Sequence, residues 1–360
     1  MMGTKIKTDF DYLVEQLDHT PLVPVLLDDH IHTVWCKLEF MNPSGSIKDR
    51  IARHILQKAG KEGLLKSGHV VEASSGSTSI ALAHVCALMG LKFTAVLPEG
   101  ASEERLWTMV ALGAKFELVP NSTGMHGAIE RAEQLARDNG WFFVKQFENN
   151  ENANAHYQTG IEIIKQIPGH QIDAVVSGIG TGGTLVGLAR CFKQEGKDTL
   201  AIVARTEGVR LPGTDIECCS LIPGTMMKDF PNLYTIALEN DSGLKFQEQK
   251  VSYDMAMEMT KRLWAKGYPV GPSSGFNYAA AVYYAKQENL DEDTTIVTVF
   301  PDRMERYFST ESFQDIKHKT ASMIREKENE KLRREIKQEI KQEIKQEIKQ
   351  EILNELSLLK

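Results

Sequence analysis

The chain has 360 residues, 42% apolar and 25% charged, with a formal net charge of −7. That length supports a large core in one or two domains, and an acidic balance with no Lys/Arg cluster among aromatics argues against a nucleic-acid partner. Five cysteines (Cys36, Cys86, Cys191 and the pair Cys218 and Cys219) form an odd set without metal-ligand spacing, the pattern of reduced thiols in a cytosolic protein with no metal site.

In chain order, residues 1–20 carry no apolar signal-peptide core and predict a short amphipathic helix on Phe10, Leu13, Val14 and Leu17, ending before Thr20 and Pro21. No later apolar run is long enough to span a membrane, so a soluble, cytoplasmic protein without a membrane partner is expected. Residues 22–27 and 33–40 alternate or run apolar and predict strands. A polar loop over 42–50 precedes an apolar helix-forming run (Ile51, Ala52, Ile55, Leu56) that extends to about Gly60. A short strand at 70–73 leads straight into the hydroxyl-rich 74–79, with a helix over 80–89 stopped by Gly90. Strands at 93–97 and 116–119 then alternate with helices at 103–112 and 127–138. In the second half, a strand at 172–177 runs into the glycine-rich 178–184, with a helix from near Leu185. A strand at 201–204, an irregular 208–232, a helix over 253–266, a turn at 271–275, a helix over 278–286 and a buried strand over 294–300 complete the pattern. Strand, turn and helix at this short spacing point to an α/β protein with a mostly parallel sheet.

Three stretches carry chemistry. In 42–50 one lysine, Lys48, follows a loop broken by Pro43 and Gly45. Ser46 is placed to cap the helix and Asp49 falls where a helix start favours a carboxylate, so Lys48 lies in the first turn, where the dipole disfavours a cation. A lysine near a helix start is ordinarily a solvated surface group. The chemical alternative is a lysine that condenses with an aldehyde. It must be neutral when it attacks, and desolvation beside a positive dipole end lowers its pKa in that direction. The turn at 74–79 offers backbone N–H groups and hydroxyls as a cup for a carboxylate, or is simply a hydroxyl-rich helix cap. In the third, Gly180, Thr181, Gly182, Gly183 and Thr184 supply unhindered N–H groups and hydroxyls at a helix N-terminus, which is what a phosphate monoester needs. The glycine spacing is not the dinucleotide fingerprint, and no Gly-Lys-Ser/Thr follows to make a P-loop. On these residues alone a glycine-rich turn without function stays open.

The stretches Asn42 to Arg50, Ser74 to Thr78, Gly180 to Thr184 and Gly271 to Gly275 occur in the order seen in the cysteine synthase (O-acetylserine sulfhydrylase) family. Thr20-Pro21-Leu22, Gln146-Phe147, Ala155-His156-Tyr157, Thr159-Gly160 and Glu305 to Thr310 also resemble it, over about residues 10–313 in all. Pro301-Asp302-Arg303 and 207–224 most resemble its B isozyme. The resemblance implies a two-domain fold-type II pyridoxal-phosphate enzyme, similar to the tryptophan synthase β subunit. It implies an N-terminal α/β domain over 1–150 with the cofactor lysine, a C-terminal α/β domain over 151–322 with the phosphate cup, and a charged helical tail over 323–360. It further implies pyridoxal 5'-phosphate as cofactor, a small amino-acid substrate, a sulfur nucleophile and a homodimer. By the same resemblance Lys48 carries the cofactor and moves the substrate α-proton, Gly180 to Thr184 hold the phosphate, and Ser273 faces the pyridine nitrogen. A neutral serine there does not keep that nitrogen protonated, which suits loss of a β-leaving group over transamination. Ser75, Gly76, Thr78 and Gln146 match the groups that grip the substrate carboxylate, and Asn42 is structural.

The chain departs from the family at Ser77, where asparagine is usual beside the cofactor and substrate, at Ser79, usually glycine, and at Met304, usually small. The shorter Ser77 leaves room for a water or for a different substrate. The expected reaction is β-replacement on an activated serine, O-acetylserine or O-phosphoserine, by a sulfur nucleophile to make L-cysteine. β-Elimination (cysteine desulfhydrase or serine dehydratase) and cystathionine β-synthase activity are the alternatives, and a scaffold that has lost catalysis is the non-enzymatic one. In the tail, Glu-Ile-Lys-Gln repeats four times from Glu335 to Gln350, placing Ile336, Ile340, Ile344, Ile348 and Ile352 in an i, i+4 row. Such a row advances about 40° per repeat on a 3.6-residue helix and is not a heptad seam. Its i, i+4 charge pairs are like with like, each costing roughly 0.2–0.5 kcal/mol. The tail therefore reads as a solvated, partly helical appendage, with an oligomerisation helix as the alternative.

Overall fold

The structure is a computed structural model that describes residues 19–27, 32–74, 76–207, 209–210, 217–218, 222, 225 and 232–358. The helix expected within 1–20 and most of the irregular 208–232 stretch lie outside the described residues. The chain divides into two compact units, Met1–Phe308 and Ser309–Lys360.

The first unit alternates strands and helices: β1 (Leu22–Val25), β2 (Val34–Lys37), α1 (Lys48–Lys61), β3 (His69–Ala73), α2 (Ser77–Met89), β4 (Lys92–Pro98), α3 (Glu103–Ala111), β5 (Lys115–Val119), α4 (Gly124–Asn139), β6 (Phe142–Phe143) and α5 (Glu151–Gln166). It continues with β7 (Ala174–Gly178), α6 (Gly183–Gln194), β8 (Leu200–Thr206), the short antiparallel pair β9 (Val209–Arg210) and β10 (Glu217–Cys218), α7 (Leu233–Asn240), β11 (Phe246–Val251), α8 (Tyr253–Ala265), α9 (Pro272–Gln287) and β12 (Ile296–Val299). Two larger sheets result. One has four parallel strands in the order β5-β4-β3-β6. The other has six in the order β1-β2-β12-β7-β8-β11, parallel except for β1 against β2. Because β2 lies beside β12, the first strands of the chain complete the sheet built by its second half.

Burial accounts for these elements. β7 and β12 are nearly continuous apolar runs in the middle of the six-stranded sheet, as strands covered on both faces must be. Val175, Val297 and Val299 share a core with Ile163 of α5, Leu188 of α6 and Leu233 of α7. The alternate residues Val176 and Ile296 join Met259 of α8 and Tyr278 of α9 on the other face. In the four-stranded sheet, Val70, Ala95 and Leu97 pack with Ile55, Leu82 and Met109 of α1 to α3, while Val71, Ala73 and Val96 pack with Ala128 and Ala132 of α4.

Three helices start earlier than the sequence predicts, α4 at Gly124 among them. Ser77, Thr78 and Ser79 are themselves the first turn of α2. The expected turn at 271–275 is the start of α9, where Pro272 sits at the position whose missing N–H would have no partner anyway. The structure adds helices α5 and α7 and strands β6 and β11, which the sequence pattern does not predict.

The second unit holds a 3₁₀ turn, Glu311–Phe313, and α10 (Gln314–Leu358), which begins ahead of the charged stretch. Ile336, Ile340 and Ile344 lie exposed along α10; the side chains of Ile348 and Ile352 lie outside the described residues. Lys331 and Arg334 pair with carboxylates four residues away, each at 3.8 Å, but no ion pair joins two residues of the repeat among the described residues.

Candidate active site

The C-terminal ends of β3, β6, β7 and β12 open onto one cavity of about 610 Å³. Open α/β sheets place ligands at this end of their strands. Gly76, Ser77 and Thr78 follow β3, Gln146 follows β6, Gly180 and Thr181 follow β7, and Asp302 follows β12; all line it.

Lys48 enters from the first residue of α1. The loop before it is tied to β12 by the Ile47 N–H, which donates to the Pro301 carbonyl at 2.8 Å. Ile47, already in helical conformation, is the N-cap, one residue later than expected; Ser46 Oγ still accepts the Lys48 N–H at 3.3 Å. Asp49 turns back to accept from the Ser44 N–H at 2.7 Å and from the Ser44 hydroxyl, closing the loop. Asn42 donates to both the carbonyl and the carboxylate of Glu39, a structural contact. Burial pulls the Lys48 amine down to about 8, with the Asp302 carboxylate acting in the opposite direction.

Asp302 is a buried carboxylate at the base of the cavity. Its Oδ2 accepts from the Ser77 hydroxyl at 2.9 Å and the Tyr307 hydroxyl at 2.7 Å, while Oδ1 has no hydrogen-bond partner among the described residues. The Arg105 guanidinium lies 4.9 Å from the centroid of the Tyr307 ring. Ser273, near the start of α9, also turns a buried hydroxyl without a described partner toward the cavity it lines.

Across from these, Gln146 is held on three sides. Its Oε1 accepts from Thr78 Oγ at 2.8 Å, its Nε2 donates to the Ala73 carbonyl at 2.8 Å, and its backbone N–H donates to Glu72 Oε2 at 3.2 Å. Burial pushes the Glu72 carboxyl up to about 8, against the backbone N–H donors that favour its charged form. Ser79 faces away from the cavity and donates to the Ser74 carbonyl at 2.6 Å. Ser75, the remaining expected carboxylate contact, lies outside the described residues.

The glycine-rich turn forms the N-terminus of α6. Gly182 has φ +81°, and a Cβ there would stand 2.6 Å from the Tyr234 backbone nitrogen, so only glycine fits. Thr184 Oγ lies 3.2 Å from His156 Nε2. Burial, reinforced by the Lys48 charge, holds His156 down to about 3, so it is a neutral partner. Gly180, Thr181, Gly182 and Thr184 line the cavity; Gly183 and the departing residue Met304 are not on its wall. Sequence reasoning assigned no role to Asp302, Tyr307, Arg105 or Asn152. Asp302 carried a signal, since it follows the last buried strand, and Tyr307 lies in the family-like stretch Glu305 to Thr310.

The family model for a pyridoxal-phosphate dependent enzyme matches residues 15–302. The chain belongs to this family. It is 37% identical over 323 residues to a cysteine synthase of Staphylococcus aureus (strain Mu50), across 85% of this chain and 98% of that protein. An O-acetylserine dependent cystathionine beta-synthase from Helicobacter pylori superposes with a TM-score of 0.74 at 30% identity, covering 87% of this chain and 100% of that one. A hydrogen sulfide-producing enzyme from Fusobacterium nucleatum superposes with a TM-score of 0.75 at 30% identity, covering 85% of this chain and 92% of that one. As a fold-type II member of the family, this protein is an enzyme that uses pyridoxal phosphate. The cavity fits that group: it joins a left-handed glycine turn at a helix N-terminus, an amine drawn toward neutrality and a buried hydroxyl without a partner among the described residues. Among the described residues, no helix is long and apolar enough to cross a membrane, and no cluster of His, Cys, Asp and Glu is placed to hold a metal ion.

Proposed function

We propose that the cavity makes L-cysteine by β-replacement on an activated serine. The Cβ–O bond breaks, acetate or phosphate leaves with the electron pair, and a small sulfur nucleophile forms the Cβ–S bond; the proton taken from Cα returns there. Bound in the cavity, pyridoxal phosphate supplies the electron sink for the α-carbon. The observation that carries this reading is the Lys48 amine, drawn to about 8 in the cavity that also holds the glycine turn and the Thr78–Gln146 pair. A lysine with that pKa is a competent base near neutral pH, so Lys48 both carries the cofactor and moves the Cα proton.

Gly180, Thr181, Gly182, Gly183 and Thr184 bind the phosphate through the α6 N-terminus and two hydroxyls. Ser75, Gly76, Thr78 and Gln146 hold the substrate carboxylate, and the Ser273 hydroxyl meets the pyridine nitrogen as a neutral partner. The four-stranded sheet and its helices form the lobe that grips the carboxylate; the six-stranded sheet forms the lobe that grips the phosphate. The enzyme acts as a cytoplasmic homodimer, with the 323–360 tail outside the catalytic unit.

A second reading, β-elimination, is favoured by Ser77, whose hydroxyl is engaged by Asp302. Shorter than asparagine and hydrogen-bonded to Asp302, it closes the site less tightly, and water then competes with the nucleophile. Competing the two directions in one assay tests the proposal. Synthesis of cysteine from O-acetylserine and sulfide should exceed cysteine breakdown at matched concentrations; faster sulfide release from cysteine would replace it with the desulfhydrase reading.

A further inference from the structure

We propose that Asn152 is a positioning residue that fixes the Thr181 hydroxyl as a donor to the bound phosphate and joins the phosphate cup to the carboxylate cradle. This rests on the reading of 180–184 as the phosphate site. Asn152, in the first turn of α5, is fully buried. Its Nδ2 donates to the Gln146 carbonyl at 2.8 Å and to Thr181 Oγ at 2.8 Å. A backbone carbonyl only accepts, so the amide must present its NH₂ end to Gln146, and both amide hydrogens are committed.

The consequence falls on Thr181. Its oxygen also accepts the Gly183 N–H at 3.4 Å. A hydroxyl has two acceptor lone pairs and one hydrogen. With two donors on the oxygen, the hydrogen points elsewhere, and Thr181 lines the cavity. Thr181 is thereby set to donate, the polarity a phosphate oxygen requires. Without Asn152 the hydroxyl is free to spend its hydrogen on the protein and turn a lone pair toward the anion. The approach of Asn152 needs a glycine at 183, where a Cβ would stand 2.1 Å from Asn152 Oδ1. Through the Gln146 carbonyl the same amide braces the residue that accepts from Thr78 and donates to Ala73. The two anion cradles, fed by different sheets, thus share one buried side chain.

Thermal unfolding of the full-length chain, stripped of cofactor and titrated with inorganic phosphate, tests this. A ligand that binds the folded state raises the melting temperature through an added stability of RT ln(1 + L/Kd), with L its free concentration, so the phosphate-dependent increment reports affinity apart from any general loss of stability. Asn152→Ala and Thr181→Val should each weaken phosphate roughly tenfold or more, the size of one charge-assisted hydrogen bond. The double variant should be no weaker than the poorer single one, because Asn152 acts through Thr181. An Asn152→Ala protein that melts lower but keeps the full phosphate increment overturns the inference. So does a Thr181→Val protein with unchanged phosphate affinity, which decides the matter even if Asn152→Ala does not fold. No phosphate effect in the wild type sinks the phosphate reading itself, and the inference with it.

Discussion

Arg50, two residues beyond Lys48 on α1, is only 2% exposed, and replacing it with leucine should unseat the helix that presents the lysine. Its guanidinium donates to Glu39 at 2.6 and 2.8 Å and to Glu162 at 2.6 and 2.8 Å, bidentate to each. Lys37 Nζ, 2.7 Å from Glu162 Oε2, is the second cation of this dry network. Arg50→Leu leaves both carboxylates buried with Lys37 alone. Removing one partner of a buried pair costs roughly 3–5 kcal/mol, of which the leucine regains a part by its own burial. For a unit of this size the loss should lower Tm by roughly 6–10 °C. The pH dependence carries the sharper signature. Burial pushes the Glu39 carboxyl up, yet Arg50 brings it to about 2, below its ordinary 4.5. A depressed carboxylate stabilises the fold above the unfolded pKa and loses that contribution as pH falls from about 4.5 toward 2. In the variant the depression disappears. The stability gap between wild type and Arg50→Leu should therefore be full at pH 7 and narrow below about pH 4.5. Urea titrations at both pH values measure it. A gap under about 1 kcal/mol at pH 7, or one that stays constant into acid, would refute the claim that this network holds α1.

Two further outcomes follow from the same geometry. Ser77→Asn should lower the pyruvate released beside cysteine, because an amide reaches further into the cavity than a hydroxyl engaged by Asp302 at 2.9 Å; an unchanged pyruvate-to-cysteine ratio would show that closure does not depend on this position. Truncation after Ser322 should leave turnover and the number of protomers per particle unchanged, since every cavity-lining residue lies upstream; fewer protomers per particle by light scattering would make the isoleucine row of α10 an interface.

What the sequence revealed and what it hid have distinct physical causes. Strands β3, β4, β7 and β12 and helices α1, α2 and α6 were legible because apolar runs of strand length were punctuated by Gly, Pro and hydroxyl residues. Each cup at a strand-to-helix junction was legible for the same reason, since free N–H groups and small residues coincide there. α5 was hidden by its composition: Asn152 and Asn154 in its opening residues, with Asn150 just before, and Gly160 inside are poor helix formers, and packing against the core overrides them. Asp302 was visible as a motif but not as a wall of the site. Its place follows from β12 lying between β2 and β7, a strand order set by pairings distant in sequence. The role of Ser46 was read one residue early, because the backbone at Ile47 is already helical and the cap is decided by conformation, not residue type.

Borohydride reduction followed by peptide mapping identifies which lysine is joined to the cofactor. Reduction makes the lysine–cofactor bond permanent. The wild-type enzyme should yield a single labelled peptide carrying pyridoxyl-modified Lys48. Lys48→Ala should keep its fold, since the side chain is half-buried in a cavity wall rather than part of a core, and should yield no labelled lysine and no turnover. A wild-type label on another lysine, or a stoichiometric reducible adduct that persists in Lys48→Ala, would show that Lys48 does not carry the cofactor.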